Sequence, residues 1–333
     1  MAIYKETISL CAECAKDSPA HYEESADGMW LFTDCSDHGQ TREKVENDAA
    51  FFKWGYEQDY AKNYAHLILP ITYRCNLNCK YCYTLSNAPF ALPGDRSFAE
   101  LARIIEGFDG NITLIGGEPT IRDDLLELIG SAKINRRRKI SLGTNGQKLK
   151  DMAYVKGLKE AGLDFVFLSL NDVAYEGSAI IRKNKITALS NCQKLRLPVW
   201  LHQTIDDLKQ LDSLFPVVAE YGKTIFNMTI RAVKPFGLIH PETEFFVSDI
   251  LKYLGADNAY SKGFSFFNRQ ISLGGIPAKI CSWVNDVARL DPIDSRYLIS
   301  DGTMTAFHRG MKMDEVLILG RNRPRQRLSS GSS

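Results

Sequence analysis

The chain has 333 residues, 44% hydrophobic and 24% charged, enough for one large domain with an appendage or two ordinary domains and too long for a small disulfide-stapled scaffold. Its longest apolar runs, such as the one beginning at Phe165, fall far short of the ~20 residues that span a bilayer, so no membrane span is expected. Net charge is +1, yet residues 1–65 hold 13 acids and 6 bases, a balance of −7 that leaves +8 elsewhere and favours an anionic partner there.

The start, Met1 to Leu10, carries Glu6 and lacks the basic-then-apolar pattern of a secretory signal, so a cytoplasmic location with reduced cysteines is expected. The eight cysteines fall into groups: Cys11, Cys14 and Cys35; Cys75, Cys79 and Cys82; and the isolated Cys192 and Cys281. In the first group, Cys11-x2-Cys14 and Cys35-x2-His38-Gly39 form two ligand pairs of the type that clamp a tetrahedral zinc. A closed Cys3His set makes that zinc structural, ordering an acidic segment too small for a core of its own. An auxiliary iron–sulfur centre and a metal-free loop are the rival readings. Residues 1–60 are predicted as this module.

From residue 66 the pattern changes. Strands are predicted over 66–72, 111–117, 139–144, 165–170, 199–205 and 225–233. Between them, 97–108, 122–133, 150–161, 183–195 and 206–221 carry apolar residues at helical spacing, as Leu125, Leu128 and Ile129 do in the second. Alternation of this kind demands parallel strands and right-handed crossovers, giving either an open doubly wound sheet or an incomplete barrel over residues 61–240.

The run Cys75-Asn76-Leu77-Asn78-Cys79-Lys80-Tyr81-Cys82 directly follows the first of these strands. Three thiolates there can converge on one centre with a fourth position open, which implies chemistry. A zinc knuckle completed by a distant His, or a closed iron–sulfur site completed by Cys192 or Cys281, is the structural alternative. Later strand ends carry Gly116-Gly117-Glu118-Pro119-Thr120, then Thr144-Asn145-Gly146, then Ser169 and Asn171, His202 and Gln203, and Arg231. They share the carboxyl edge where α/β sites gather. Glycines there allow close backbone approach, and a carboxylate suits a fixed ammonium.

The Cys-x3-Cys-x2-Cys spacing with Tyr81 before the last Cys, the Gly-Gly-Glu-Pro run and the Thr-Asn-Gly run together resemble the radical S-adenosylmethionine (radical SAM) superfamily over roughly residues 66–233. The resemblance implies a partial (β/α)6 TIM-type barrel with a 4Fe-4S cluster on Cys75, Cys79 and Cys82. It also implies S-adenosylmethionine on the open iron, reduced to a 5′-deoxyadenosyl radical that abstracts a substrate hydrogen. Tyr81, Gly116, Gly117, Glu118, Pro119, Thr144, Asn145, Ser169 and Asn171 would face the cofactor, and His202 and Arg231 would line the cavity beside it. A reducing donor such as flavodoxin or ferredoxin follows as a partner. The amino-terminal arrangement ending Cys-x2-His-Gly resembles the start of tetraether lipid synthase-like members, for this short module only.

Beyond the barrel, 241–320 reads as a substrate-covering extension, with a hairpin over 297–308 turning at Asp301-Gly302. Residues 321–333 read as a disordered basic and Ser-rich tail. The basic runs 133–139 and 321–327 are either phosphate-binding or solvated faces. The functional expectation is an enzyme, an isomerase or a C–H functionalising catalyst. It would act on a polar substrate, with a nucleobase or nucleic-acid-linked group as the first candidate and a ribosomal peptide or free amino acid as the alternative. A non-catalytic iron–sulfur and zinc sensor is the rival from another class.

Overall fold

The computed structural model describes residues 3–11, 17–57, 66–79, 82, 86, 94–171, 178–233, 245–256, 268–281, 297–300, 303–306 and 326–327. Cys14 and Tyr81 lie outside these residues.

The amino-terminal segment is an antiparallel meander of β1 (Ile3–Leu10), β2 (Asp17–Ser25), β3 (Gly28–Cys35) and β4 (Gly39–Glu46). Gly28 turns β2 into β3 at φ +133°, where a Cβ would meet the Glu46 carbonyl at 2.2 Å, so the turn requires glycine. This segment does make a small core, contrary to expectation: Ala20, Tyr22, Met29, Leu31 and Val45 pack with Phe52 and Tyr56 of α1 (Ala49–Tyr56). Phe51 of the same helix enters the main core instead, so α1 fastens one body to the other. Two residues of the expected tail, Gln326 and Arg327, form β15, paired antiparallel with Arg42 and Thr41 of β4.

Six parallel strands follow in chain order: β5 (His66–Thr72), β6 (Asn111–Gly116), β7 (Ile140–Thr144), β8 (Phe165–Ser169), β9 (Val199–Ile205) and β10 (Ile225–Ala232). They alternate with α2 (Phe98–Glu106), α3 (Leu125–Ala132), α4 (Met152–Glu160), α5 (Ala179–Leu195) and α6 (Leu214–Tyr221). A doubly wound sheet reverses its strand order at a switch point; this one does not reverse. Right-handed crossovers therefore place every helix on one face and leave the other concave, the barrel alternative.

Local chemistry sets the helix limits. Ser97 and Glu100 form a reciprocal capping box at the start of α2. The helix expected over 206–221 is instead a 3-10 turn at Leu208–Ser213 followed by α6. Pro216 lies in the first turn of α6, where its ring opposes a continuous α-helix upstream.

The later chain lengthens the sheet at both edges. β11 (Asn268–Leu273) and β12 (Ile276–Cys281) form a hairpin whose second strand runs parallel to β10. The two short strands expected over 297–308 are present as β13 (Tyr297–Ser300) and β14 (Thr303–Ala306), paired antiparallel with β13 beside β5, while Asp301 and Gly302 lie outside the described residues. The ten-stranded sheet ends at β11 and β14, so the barrel is not closed.

The basic run 133–139 is largely consumed by structure. Arg138 donates to the carbonyls of Gly110 and Phe108, and Lys133 and Lys139 both pair with Asp164, at 2.7 and 3.2 Å. No helix among the described residues is long and apolar enough to cross a membrane.

At the junction of the two bodies, Glu46 is buried and accepts from Ser248 Oγ at 2.5 Å, at the start of α7 (Val247–Tyr253). Asn47 donates to Asp249 of the same helix at 2.8 Å. Burial pushes the Glu46 carboxyl up to about 7, with Asp249 adding repulsion against the opposing pull of Ser248 and Asn47. Its folded pKa lies above the unfolded value, so the penalty is absent below the unfolded pKa, grows as pH rises and is complete above about 7. Glu46→Gln is expected to stabilise the protein at pH 8 by on the order of 3 kcal/mol, with the gain shrinking toward about pH 5. Calorimetric melts across that range check it; a gain independent of pH would contradict it.

Candidate functional site

The carboxyl edge of β5 to β7 is tied together before any ligand is considered. Asp95 accepts from Thr72 Oγ1 at 2.8 Å, from the Tyr73 N–H at 3.1 Å and from Arg74 Nε at 2.9 Å. Arg122 pairs with both Asp124 oxygens and donates to the Ile71 carbonyl at 2.9 Å, so the root of the cysteine loop is fixed from two sides.

In that loop Cys75, Cys79 and Cys82 are half-buried, and the Cys82 N–H donates to the Cys79 carbonyl at 3.2 Å. Burial pushes the Cys75 thiol up, with Glu118 and Cys82 adding to the effect against the Leu77 N–H that reaches its Sγ at 3.4 Å. A positive metal centre is what would hold such a group as thiolate. Among the described residues, only Cys11, Cys35 and His38 bring three ligand atoms within 4.8 Å of one another. Three thiols with no imidazole among residues 75–82 are a donor set that an iron–sulfur cluster accepts.

Gly116 and Gly117 have a structural reason as well as the expected one. The Gly117 N–H donates to the Thr72 carbonyl at 2.9 Å and the Glu118 N–H to the Arg74 carbonyl at 2.8 Å. A Cβ on Gly116 would meet the Thr72 oxygen at 2.2 Å, and one on Gly117 the Arg74 oxygen at 2.3 Å. The pair lets the strand end pack onto the root of the cysteine loop. Gly117→Ala is expected to cost about 2 kcal/mol or more, read as a lowered melting temperature, because backbone must move to admit the methyl.

Glu118 is fully buried and accepts four hydrogen bonds. Its Oε1 takes the Thr120 N–H at 3.1 Å, Thr120 Oγ1 at 2.6 Å and Thr144 Oγ1 at 2.8 Å, while Oε2 takes the Asn145 N–H at 2.6 Å. Burial pushes this carboxyl up; the four donors oppose that shift. Glu118 thus clamps the end of β6 to the end of β7, a role that carboxylate–ammonium reasoning did not anticipate. Pro119 is buried beside it in a single 3-10 turn.

Asn145 crosses to the cysteine loop. Its Nδ2 donates to Asn76 Oδ1 at 2.8 Å and lies 3.8 Å from Cys75 Sγ. Asn76, Gln147 and Asn184, which form this contact and its support, escaped sequence reasoning because their partners are distant along the chain.

Strand register arranges the other candidates on the concave face. Ser169, His202 and Thr229 are aligned across β8, β9 and β10, with Thr204 and Arg231 aligned in the next row toward the carboxyl edge. Below them Phe167 lies 5.1 Å from both Trp200 and His202, forming a half-buried aromatic wall. Asn171 ties strands together: its Oδ1 accepts from the Thr204 N–H at 3.0 Å and its carbonyl from Arg182. Gln203 faces the helices, buried, with neither amide atom hydrogen-bonded among the described residues.

Of the amino-terminal candidates, Cys11, Cys35 and His38 come together. His38 Nδ1 lies 3.6 Å from Cys11 Sγ and 3.4 Å from Cys35 Sγ, separations that suit a tetrahedral zinc. Burial opposes ionisation of Cys35, but the Asp37 N–H and the His38 and Cys11 side chains bring its thiol down to about 6. Nearby, His21 stacks on Phe32 and pairs with Glu23 at 3.1 Å.

Residues 69–202 match the Radical SAM superfamily, and residues 3–47 match the HMPTM N-terminal zinc ribbon domain. The chain is 30% identical over 227 residues to 7,8-dihydro-6-hydroxymethylpterin dimethyltransferase of Methanocaldococcus jannaschii, a match covering 57% of this chain and 45% of that one. It is 35% identical over 143 residues to GTP 3',8-cyclase of Lactiplantibacillus plantarum, covering 41% of each. The chain thus spans less than half the length of these relatives. Streptococcus suis SuiB bound to S-adenosylmethionine superposes with a TM-score of 0.49 at 15% identity, covering 78% of this chain and 70% of that one.

Proposed function

From a chain that carries a radical SAM domain at residues 69–202 behind a zinc ribbon at residues 3–47, we propose a radical SAM enzyme that abstracts hydrogen from a polar nitrogen heterocycle of the pterin or purine class. The observation that carries this reading is the joining of the three-cysteine loop, Glu118 and Asn145 at one sheet edge by direct hydrogen bonds. Cys75, Cys79 and Cys82 would hold a 4Fe-4S cluster, and the zinc ribbon ligands Cys11, Cys14, Cys35 and His38 a structural zinc. When bound and reduced, the cluster supplies the electron that cleaves S-adenosylmethionine to methionine and a 5′-deoxyadenosyl radical.

The residues of this chain have distinct tasks in that reading. The packed Gly116-Gly117 backbone and the Glu118 clamp hold the ends of β6 and β7 rigid, so that backbone polar groups there meet the cofactor without rearranging. Ser169 stands at the next strand end, and Asn171 keeps β8 and β9 in register beneath it. Phe167 and Trp200, tilted 44° to one another, offer apolar ring faces to a planar substrate, while His202 and Arg231 sit toward the open edge, where a polar or anionic substituent would lie. Flavodoxin or ferredoxin would deliver the electron.

The activities for which the two relatives are named, on a hydroxymethylpterin and on GTP, agree with this substrate class. The test is deuterium transfer into 5′-deoxyadenosine from deuterated dihydropterins and guanine nucleotides, with a peptide and free amino acids as comparators. Label from a heterocycle supports the reading; label from a peptide or amino acid alone overturns the substrate class. Chelation of the zinc is expected to lower the melting temperature of the amino-terminal body while leaving iron content intact.

A further inference from the structure

We infer that Asn145 is a positioning residue acting on the iron–sulfur centre through Cys75: its side-chain amide donates toward the Cys75 sulfur and raises the cluster's reduction potential. The inference rests on the proposed cluster and adds a residue that tunes it.

The sense of the Asn145 amide is set by its neighbours. The Gln147 backbone N–H can only donate, and it reaches Asn145 Oδ1 at 3.0 Å, which turns the amide nitrogen toward the loop. That nitrogen then meets Asn76 Oδ1 at 2.8 Å and stands 3.8 Å from Cys75 Sγ. The Asn145 backbone is held separately by Glu118 Oε2 at 2.6 Å, so main chain and side chain are anchored from different directions.

The turn carrying Gln147 is itself pinned to α5. Gln147 Nε2 donates to the Ile181 carbonyl at 3.0 Å, and Asn184 Nδ2 donates to Gln147 Oε1 at 2.8 Å. A line of hydrogen bonds thus runs from α5 through the 145–147 turn to the first cysteine. An N–H directed at a ligating sulfur withdraws electron density and favours the reduced, more negative cluster, so its loss moves the potential downward. The same contact fixes the loop through Asn76, bridging strand ends 69 positions apart.

The test uses the full chain, reconstituted anaerobically with iron and sulfide. Potentials are read by redox titration followed by electron paramagnetic resonance, with iron, zinc and melting temperature measured on each sample. Asn145→Leu, which keeps the size and removes the donor, is expected to load iron fully and titrate at a more negative potential. Asn145→Asp is expected to shift it further, through added negative charge. Asn184→Leu, away from the cysteines, is expected to shift it in the same direction by less. Full iron with a wild-type potential in Asn145→Leu overturns the inference. Should that variant lose iron, Asn184→Leu decides: a shifted potential at full iron supports the inference, and an unchanged one overturns it. A wild-type chain that assembles no 4Fe-4S cluster would instead overturn the functional reading beneath it.

Discussion

Single replacement of Cys75, Cys79 or Cys82 by Ala is expected to abolish both iron–sulfur loading and 5′-deoxyadenosine formation, while zinc content stays at the wild-type level. The three thiols are the proposed ligand set, and a cluster left on two cysteines lacks the anchoring that keeps one iron open and the others closed. Two observations separate this loss from simple unfolding. The cysteines are half-buried on a loop outside the main core, and the strand beneath is fixed independently by Asp95 and Arg122. The melting temperature should therefore change little relative to the cluster-free wild type. A variant that keeps partner binding while losing only the cluster would point to a sensor, and Cys79→Ala is the variant in which to look.

The second large effect is on folding. Glu118→Ala is expected to destabilise the protein by about 4 kcal/mol, because the Thr120 and Asn145 N–H groups and the Thr144 hydroxyl lose a common acceptor. A fall of roughly 10 °C in melting temperature is the corresponding readout. Glu118→Gln should cost on the order of 1 to 2 kcal/mol, since an amide can replace one oxygen but not both. An alanine variant as stable as wild type would mean that the clamp contributes nothing, and Glu118 would return to the simpler role of receiving the cofactor's ammonium.

The barrel strands were legible because each is a short apolar run buried on the helix side, and the intervening segments repeat at helical spacing. Their sequential order was not: it decides between barrel and doubly wound sheet, and no local pattern in β5 to β10 encodes which neighbour each strand chooses. The amino-terminal meander carried a usable signal in Asp27-Gly28 between two candidate strands. Its core remained hidden because Phe52 and Tyr56 belong to the helix after it. Likewise Gly274-Gly275 marks a hairpin, whereas the parallel placement of β12 against β10 is a long-range choice.

The site divides the same way. Spacing alone identified the two cysteine groups and the strand-end runs, and His38 does approach Cys11 and Cys35. The close backbone contact behind Gly116 and Gly117, the saturation of Glu118 and the reach of Asn145 to Asn76 depend on which strand ends adjoin. Those are properties of the sheet, not of any motif.

The most direct test of the central claim is reductive cleavage of S-adenosylmethionine by the anaerobically reconstituted chain, followed by chromatography for 5′-deoxyadenosine. 5′-Deoxyadenosine is expected in amounts that track iron content and that vanish when Cys75, Cys79 or Cys82 is replaced by Ala. A fully loaded, reducible cluster that yields none in the presence of S-adenosylmethionine would contradict it.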